Sequence, residues 1–247
     1  MKHWKWPVWF GLGLVAVSLV LYGIHFLVFR NAQHIFLWSF TSLAFLPISV
    51  LFVTLIINRL LTDRARRARL QKMNMVIGAF FSEVGNDLLA LVTPWDDELD
   101  RVRLLLAVGA NWQERDFRLA SRKLAQHRHD VNADRMDLDA AKAFLGSRRT
   151  FLLRLLENPN LLEHEAFTAL LRAVLHLAEE LDYRDTLDGL PDADRAHLAG
   201  DVRRAYALLV RQWLDYLGFI RKAYPYLFSL AVRTNPFDTE ASAVVGG

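Results

Sequence analysis

Two long stretches without charged residues lie near the start of the chain. The first runs from Val8 to Phe29 and the second from Ile35 to Ile57, and neither contains Asp, Glu, Lys or Arg. A helix over either stretch would be roughly 33 Å long, enough to cross the hydrocarbon core of a bilayer. The pattern predicts two transmembrane helices, TM1 (about 8–29) and TM2 (about 35–57), which form a hairpin within residues 1–58.

The distribution of charge predicts how this hairpin is oriented. Lys2 and Lys5 precede TM1, only Arg30 lies in the turn, and a basic cluster follows TM2. Because cytoplasmic flanks are enriched in Lys and Arg, both termini are expected in the cytoplasm, in a two-pass protein of the cell (inner) membrane. The cluster is expected to attract lipid headgroups. Its members are Arg59, Arg64, Arg66, Arg67, Arg69 and Lys72.

TM2 is expected to continue into the cytoplasm as a helix. The sequence has no Gly or Pro between Ile48 and Ile77 that would interrupt this helix. Residues 59–92 are therefore predicted to form a juxtamembrane helix continuous with TM2.

The remaining chain has the spacing of helices and predicts an all-α cytoplasmic domain over residues 93–238. Apolar positions recur at helical intervals, without sustained two-residue alternation. Thr93, Pro94 and Asp96 resemble the cap and first turn of a helix up to about Val108. Further helices are predicted over about 111–126, 134–157, 160–183 (with Asn160 and Glu163 as a capping box), 192–223 and a short segment before Asn235. The segment from His127 to Asp130 resembles a solvated helix end, and residues 239–247 are expected to be disordered.

One half of TM2 is polar, which is a property of pore-lining helices. Pro47 removes a backbone hydrogen bond and predicts a kink near the middle of the membrane. Hydroxyl groups also bond to their own helix, so a dry helix–helix interface remains an alternative. The candidate pore-lining residues are Ser39, Ser42, Pro47, Ser49, Thr54 and Asn58.

Small residues on single helix faces predict close helix packing. Gly11 and Ser18 share a face of TM1, and Gly78, Ser82 and Gly85 form a stripe at i, i+4 and i+7. The partner helix belongs either to the same chain or to a second copy. An aromatic series near the end of the long C-terminal helix is expected in core or subunit packing: Trp213, Tyr216, Phe219, Tyr224, Tyr226 and Phe228.

Two neighbouring predicted helices each carry a His and a carboxylate four residues apart. These pairs are His176 with Glu180 and His197 with Asp201. Antiparallel packing would bring four nitrogen and oxygen ligands together, as helical bundles do for metal ions. Glu163, His164 and Glu179 are additional candidates. The alternative is an exposed or ion-paired helix face.

Composition excludes several function classes. The chain has no Cys, which removes disulfides and thiolate sites. It also lacks a Gly-rich phosphate loop, a G-x-S-x-G elbow and an H-E-x-x-H helix. Six of the basic residues behind the net charge of +3 lie in the basic cluster. This cluster has no interleaved aromatic residues, so nucleic acid is not an expected partner.

These features predict a homo-oligomeric membrane protein with a gated or ion-conducting pore lined by TM2 and a cytoplasmic assembly or sensing domain. No catalytic residues and no obligatory cofactor are expected. The alternatives are a membrane-tethered scaffold or signalling module that binds a partner protein, and a membrane-bound metalloenzyme that uses the His and carboxylate pairs.

Overall fold

The chain is helical in the part that its computed structural model describes, which comprises residues 5–30, 32–158, 161 and 164–244. It divides into two units, Met1–Arg66 and Arg67–Gly247. Within the described residues, the extended pairing is limited to one antiparallel bridge between Asp96 and Val131. The predicted all-α fold class is confirmed.

The first unit contains two apolar helices. Helix α1 spans Lys5–Phe29, and α2 begins at Ala32. Arg30 connects them with a φ of 47°, which lies in the left-handed region. Near this connection the two helices line a cleft with Ser18, Leu21, Tyr22, His25, Ile35 and Trp38. The described side chains of this unit are almost all exposed to the surroundings.

Helix α2 spans Ala32–Phe80 and therefore carries residues of both units. The helix continues through Pro47. After Phe80 the chain makes a π-helical turn over Phe81–Gly85 and then forms α3, Asn86–Val92. The predicted helix up to residue 92 is thus helical but not uniform. Phe80 and Phe81, where the α-helix gives way to the π-helical turn, are both buried.

Six further α-helices complete the second unit. They are α4 (Leu99–Leu105), α5 (Glu114–Gln126), α6 (Leu138–Leu156), α7 (Glu165–Asp182), α8 (Asp192–Ala223) and α9 (Pro225–Arg233), with single 3-10 turns at Thr93–Trp95 and Ala133–Arg135. Residues 239–244 have no regular structure. The final residues 245–247 lie outside the described part.

Several predicted helix starts are wrong in detail. Thr93 does not cap a helix, since it lies inside the 3-10 turn, and Asp96 is extended and buried rather than in a first helical turn. Asp137 caps α6 through its carboxylate, so that helix starts after residue 134. The predicted capping box at Asn160 and Glu163 lies outside the described residues. Helix α7 is instead capped by His164, whose Nδ1 accepts a hydrogen bond from the Phe167 amide.

A third apolar stretch, Lys72–Trp95, is also long and apolar enough to cross a membrane. In this stretch 44% of the most apolar window is buried inside the protein, compared with 0% for the stretches Trp9–Val28 and Ile35–Arg64. Its side chains Phe80, Phe81 and Val84 belong to the core of the second unit. The third stretch is therefore a core element of the helical domain.

Both glycines of the stripe pack within the chain. A Cβ atom at Gly85 would lie 2.4 Å from Cδ1 of Phe81, and one at Gly78 would lie 2.9 Å from the Tyr216 hydroxyl. Ser82 is exposed. The close approach that the stripe indicates therefore involves aromatic rings of the same chain at Gly78 and Gly85.

Candidate metal centre

Helices α7 and α8 form the pair that brings the predicted metal ligands together. Gly189, with a φ of +68°, lies in the loop between the two helices. His176 lies opposite Asp201, and Glu180, one turn later on α7, lies opposite His197, one turn earlier on α8. This crossed order means that α7 and α8 are antiparallel, which is the arrangement that the predicted metal site requires.

The four side chains converge within a small volume. Asp201 Oδ2 lies 3.5 Å from His176 Nε2 and 3.4 Å from His197 Nε2. Glu180 lies 3.8 Å from His176 Nε2 through Oε1 and 3.6 Å from His197 Nε2 through Oε2. Single ligand atoms of His176, Glu180 and Asp201 all lie within 4.8 Å of one another.

Asp201 is the buried member of the cluster. Its side chain is only 3% exposed, whereas those of His176 and His197 are 45% and 54% exposed. Arg204 Nη1 lies 3.2 Å from Oδ1. Oδ2 accepts no hydrogen bond from the described residues, although both imidazoles are near it. A buried carboxylate oxygen without a donor is costly, so this atom is open to a cation.

Arg184 fixes the orientation of Glu180. Its Nη1 donates a hydrogen bond of 2.9 Å to Glu180 Oε2, while its Nε and Nη2 bind the two oxygens of Asp194 at 2.9 and 2.6 Å. The guanidinium lowers the pKa of the Glu180 carboxyl, mainly through this hydrogen bond. Glu180 is therefore held as an oriented carboxylate.

The separations among His176, Glu180 and Asp201 approach those in the coordination sphere of a small divalent cation. His197 lies beside this set, near Asp201 Oδ2 and the other oxygen of Glu180, Oε2. Tetrahedral ligands at 2.0–2.2 Å from zinc are about 3.3 to 3.6 Å from one another. The observed nitrogen–oxygen separations of 3.4–3.8 Å lie at or slightly above this range. Two imidazoles and two carboxylates are a donor set for first-row metals, and zinc in particular.

The additional candidates are arranged differently. Glu179 faces Arg149, with Oε1 3.9 Å from Nη2. His164 is engaged as the cap of α7, and Glu163 lies outside the described residues. The cluster thus consists of the four residues whose i, i+4 spacing singled them out.

The other predicted site residues are placed as follows. In α2, Ser42, Pro47, Thr54 and Asn58 are exposed and Ser39 and Ser49 are half-buried; in α1, Gly11 is half-buried and Ser18 is exposed. The Ser49 hydroxyl donates to the Phe45 carbonyl oxygen at 3.2 Å. Arg59, Arg64 and Lys72 are exposed, and the side chains of Arg66, Arg67 and Arg69 lie outside the described part.

A second cluster was missed by the sequence analysis. The segment at His127 was interpreted as a solvated helix end, but the His129 side chain is buried and lies against the buried Asp96. The His-x-His spacing is the only local signal. Its partner Asp96 is distant in sequence and meets it through the bridge to Val131.

Comparison with known proteins identifies relatives for both units. Residues 69–233 match the family described as "Uncharacterized protein MJ1433, C-terminal helical domain", and residues 1–61 match "MJ1433, N-terminal helical domain". The protein MJ1433 of Methanocaldococcus jannaschii is 42% identical over 228 residues, which is 92% of this chain and 92% of that protein. None of the solved structures matches the chain. The chain belongs to the MJ1433 family.

Proposed function

We propose that this protein is a two-pass membrane protein whose cytoplasmic helical domain senses a divalent metal ion of the zinc class. The ion binds to His176, Glu180, His197 and Asp201. The observation that carries the proposal is the convergence of these residues on nitrogen–oxygen separations of 3.4–3.8 Å around a buried carboxylate. The role is binding rather than catalysis.

The membrane assignment rests on the apolar surface of α1 and the first part of α2. Large apolar side chains, such as Phe26, Phe36 and Leu37, are exposed around the circumference of both helices. A surface of this kind is not stable in water, whereas helices of this length match a bilayer. The basic cluster after TM2 supports cytoplasmic termini in a cell (inner) membrane protein and would attract anionic lipids.

Reversible binding follows from the exposure of the two imidazoles. Structural zinc sites are closed and buried, whereas His176 and His197 are about half exposed to solvent. A metal ion held by such exposed side chains can exchange with solvent, which a sensor requires. Because Met73, Ile77 and Phe80 of α2 belong to the domain core, the helix that carries the predicted TM2 is also part of the sensing domain.

Replacement of Glu180 provides the first test. In the full chain in detergent, Glu180→Gln should weaken zinc binding about 10-fold or more, measured by competition with a chelator dye. Glu179→Gln is the matched control, since that residue faces Arg149, and should bind as the natural protein does. Affinity should also fall as the pH is lowered, because ligating imidazoles must be unprotonated. Equal zinc binding by both variants would refute the site.

A second candidate function is a gated pore lined by TM2. Its specific support is the polar half of α2 together with the passage of this helix into the metal-binding domain. A chain with two spans does not enclose a channel alone, so the proposal requires self-association into a ring of about four or more copies.

Bilayer recordings test the pore. Full-length protein reconstituted in planar bilayers should conduct ions, and Ser42→Leu should reduce the conductance by narrowing a polar lining. Thr41→Val is the control, since Thr41 lies outside the polar half and its hydroxyl bonds to the Leu37 carbonyl oxygen. Silent bilayers that contain oligomeric protein would exclude conduction and favour a tethered module that acts through a protein partner.

A further inference from the structure

A second group of His and carboxylate side chains lies beneath the surface of the helical domain. It comprises Asp96, His127 and His129, whose ligand atoms lie within 4.8 Å of one another. Tyr206 of α8 approaches the same group, with its ring 4.9 Å from that of His129. Tyr206 follows Asp201 by five residues and so points about 140° away from it around α8. The two clusters are therefore separate.

The backbone holds Asp96 and His129 in place. The Asp97 amide donates to the Asp130 carbonyl oxygen at 2.8 Å, and the Asn132 amide donates to the Trp95 carbonyl oxygen at 2.8 Å. These bonds join two segments that lack α-helical structure. Their side chains therefore meet in a fixed geometry without support from a common helix.

The two oxygens of Asp96 have different surroundings. Oδ1 accepts hydrogen bonds from the amides of Glu98 at 3.0 Å and Asp130 at 3.3 Å. Oδ2 lies 3.4 Å from His129 Nδ1. This separation equals the edge of a tetrahedral zinc site, about 3.3 to 3.6 Å. One oxygen thus orients the carboxylate through two amides, and the other contacts His129, so a cation would bind between this oxygen and His129 Nδ1 in place of that contact.

Further polar atoms around this group are buried. His127 Nε2 has no hydrogen-bond partner among the described residues. Tyr206 is only 1% exposed, and its hydroxyl is buried next to Thr93 Oγ1 and Asp96. A buried polar atom without a partner, such as His127 Nε2, is unusual in a native protein.

The group lies close to the surface of the domain. His127 lines a surface groove together with Arg101 and Lys123, so an ion can reach the cluster from solvent.

We propose that Asp96, His127 and His129 form a second binding site for a divalent cation of the zinc class, with the Tyr206 hydroxyl facing the ion. This site joins the segment after α3, the segment after α5 and helix α8. An ion here would hold these parts of the domain together. In contrast to the half-exposed α7–α8 centre, it would exchange slowly, because Asp96 and His129 are buried.

Metal content of the full chain tests this site independently of the α7–α8 centre. The natural protein, purified in detergent without a His tag and loaded with zinc, should retain two equivalents by elemental analysis. His127→Gln should retain one equivalent, His176→Gln one, and the double variant none. Asp139→Asn, a change of an exposed carboxylate on α6 outside both clusters, is the control and should retain two.

Tyr206→Phe separates a role at the ion from simple packing. The variant keeps the buried ring and removes only the hydroxyl, so it should release the slowly exchanging zinc at least 10-fold faster. The release rate is measured with an excess of chelator in the His176→Gln background. A folded His127→Gln protein with unchanged zinc content would overturn the proposal. A loss in His127→Gln together with unchanged content in His176→Gln would support this site and remove the α7–α8 centre.

Discussion

Asp201→Asn is expected to lower the affinity of the α7–α8 centre for zinc about 100-fold or more, since removal of a direct ligand should exceed the 10–100-fold cost of losing an outer partner. Asn keeps the size of the side chain but removes the charge that faces both imidazoles at 3.4 and 3.5 Å. Zinc titration of the full chain, with a competing chelator, measures the change. Asp192→Asn is the control for charge on the same helix, because Asp192 lies exposed in the first turn of α8.

The stability of the same variant distinguishes a metal site from an ion-pair cluster. At a zinc concentration 100 times the dissociation constant, binding stabilises the native protein by about 2.7 kcal/mol and raises Tm by roughly 5–10 °C. Asp201→Asn should lose this increase, yet without metal its Tm should change little, because Oδ2 has no donor and the Arg204 partner of Oδ1 is 61% exposed. A lower Tm in the absence of metal, together with intact zinc binding, would identify Asp201 as an ion-pair residue only.

The sequence was sufficient to predict that the side chains of the α7–α8 cluster lie close together, because the information was local. A four-residue spacing on one helix places two side chains on one face, and a short loop makes the next helix antiparallel. His176, Glu180, His197 and Asp201 needed only these two rules. The selection among additional candidates was not local. Glu179 does not join Glu180 in the cluster, because it faces Arg149 on a third helix, α6.

The buried cluster at Asp96 was beyond the same rules. Thr93, Pro94 and Asp96 have the composition of a helix start, but the backbone at Asp96 is extended, with a ψ of 118°. Tertiary pairing with the segment at Val131 determines this conformation. The environment of His129 depends equally on α8, which supplies Tyr206 from 77 positions further along the chain. A contact of this kind leaves no periodic signal.

The third apolar stretch illustrates a similar limit. Lys72–Trp95 resembles a membrane span by length and hydropathy. The polar residues Glu83, Asn86 and Asp87 within it are what allow one face to be exposed while Phe80, Val84 and Leu88 are buried. Composition alone does not separate a buried core helix from a lipid-facing one, whereas the arrangement of its polar positions does.

Trp213→Ala should destabilise the helical domain by about 3–5 kcal/mol. Trp213 lies on α8, is 1% exposed and packs edge-to-face against Phe237, with 5.2 Å between ring centroids. The contact also depends on Asn235, whose side chain donates to the Leu106 carbonyl oxygen and accepts from the Phe237 amide. A Tm lower by roughly 6–20 °C is expected for the full chain in detergent. Tyr226→Ala is the control, since Tyr226 is 71% exposed.

Zinc should partly restore this variant, because Trp213 lies about 18 Å along α8 from Asp201 and the two sites share no direct contact. Saturation at 100 times the dissociation constant should return about 2.7 kcal/mol, a Tm increase of roughly 5–10 °C, in Trp213→Ala as in the natural protein. The double variant Trp213→Ala with Asp201→Asn should gain nothing from this site. Equal recovery of the single and double variants would mean that zinc stabilises the domain elsewhere. Recovery that requires Asp201 would instead show that two interactions stabilise α8. These are the aromatic contacts of Trp213 and the ion bound between α7 and α8.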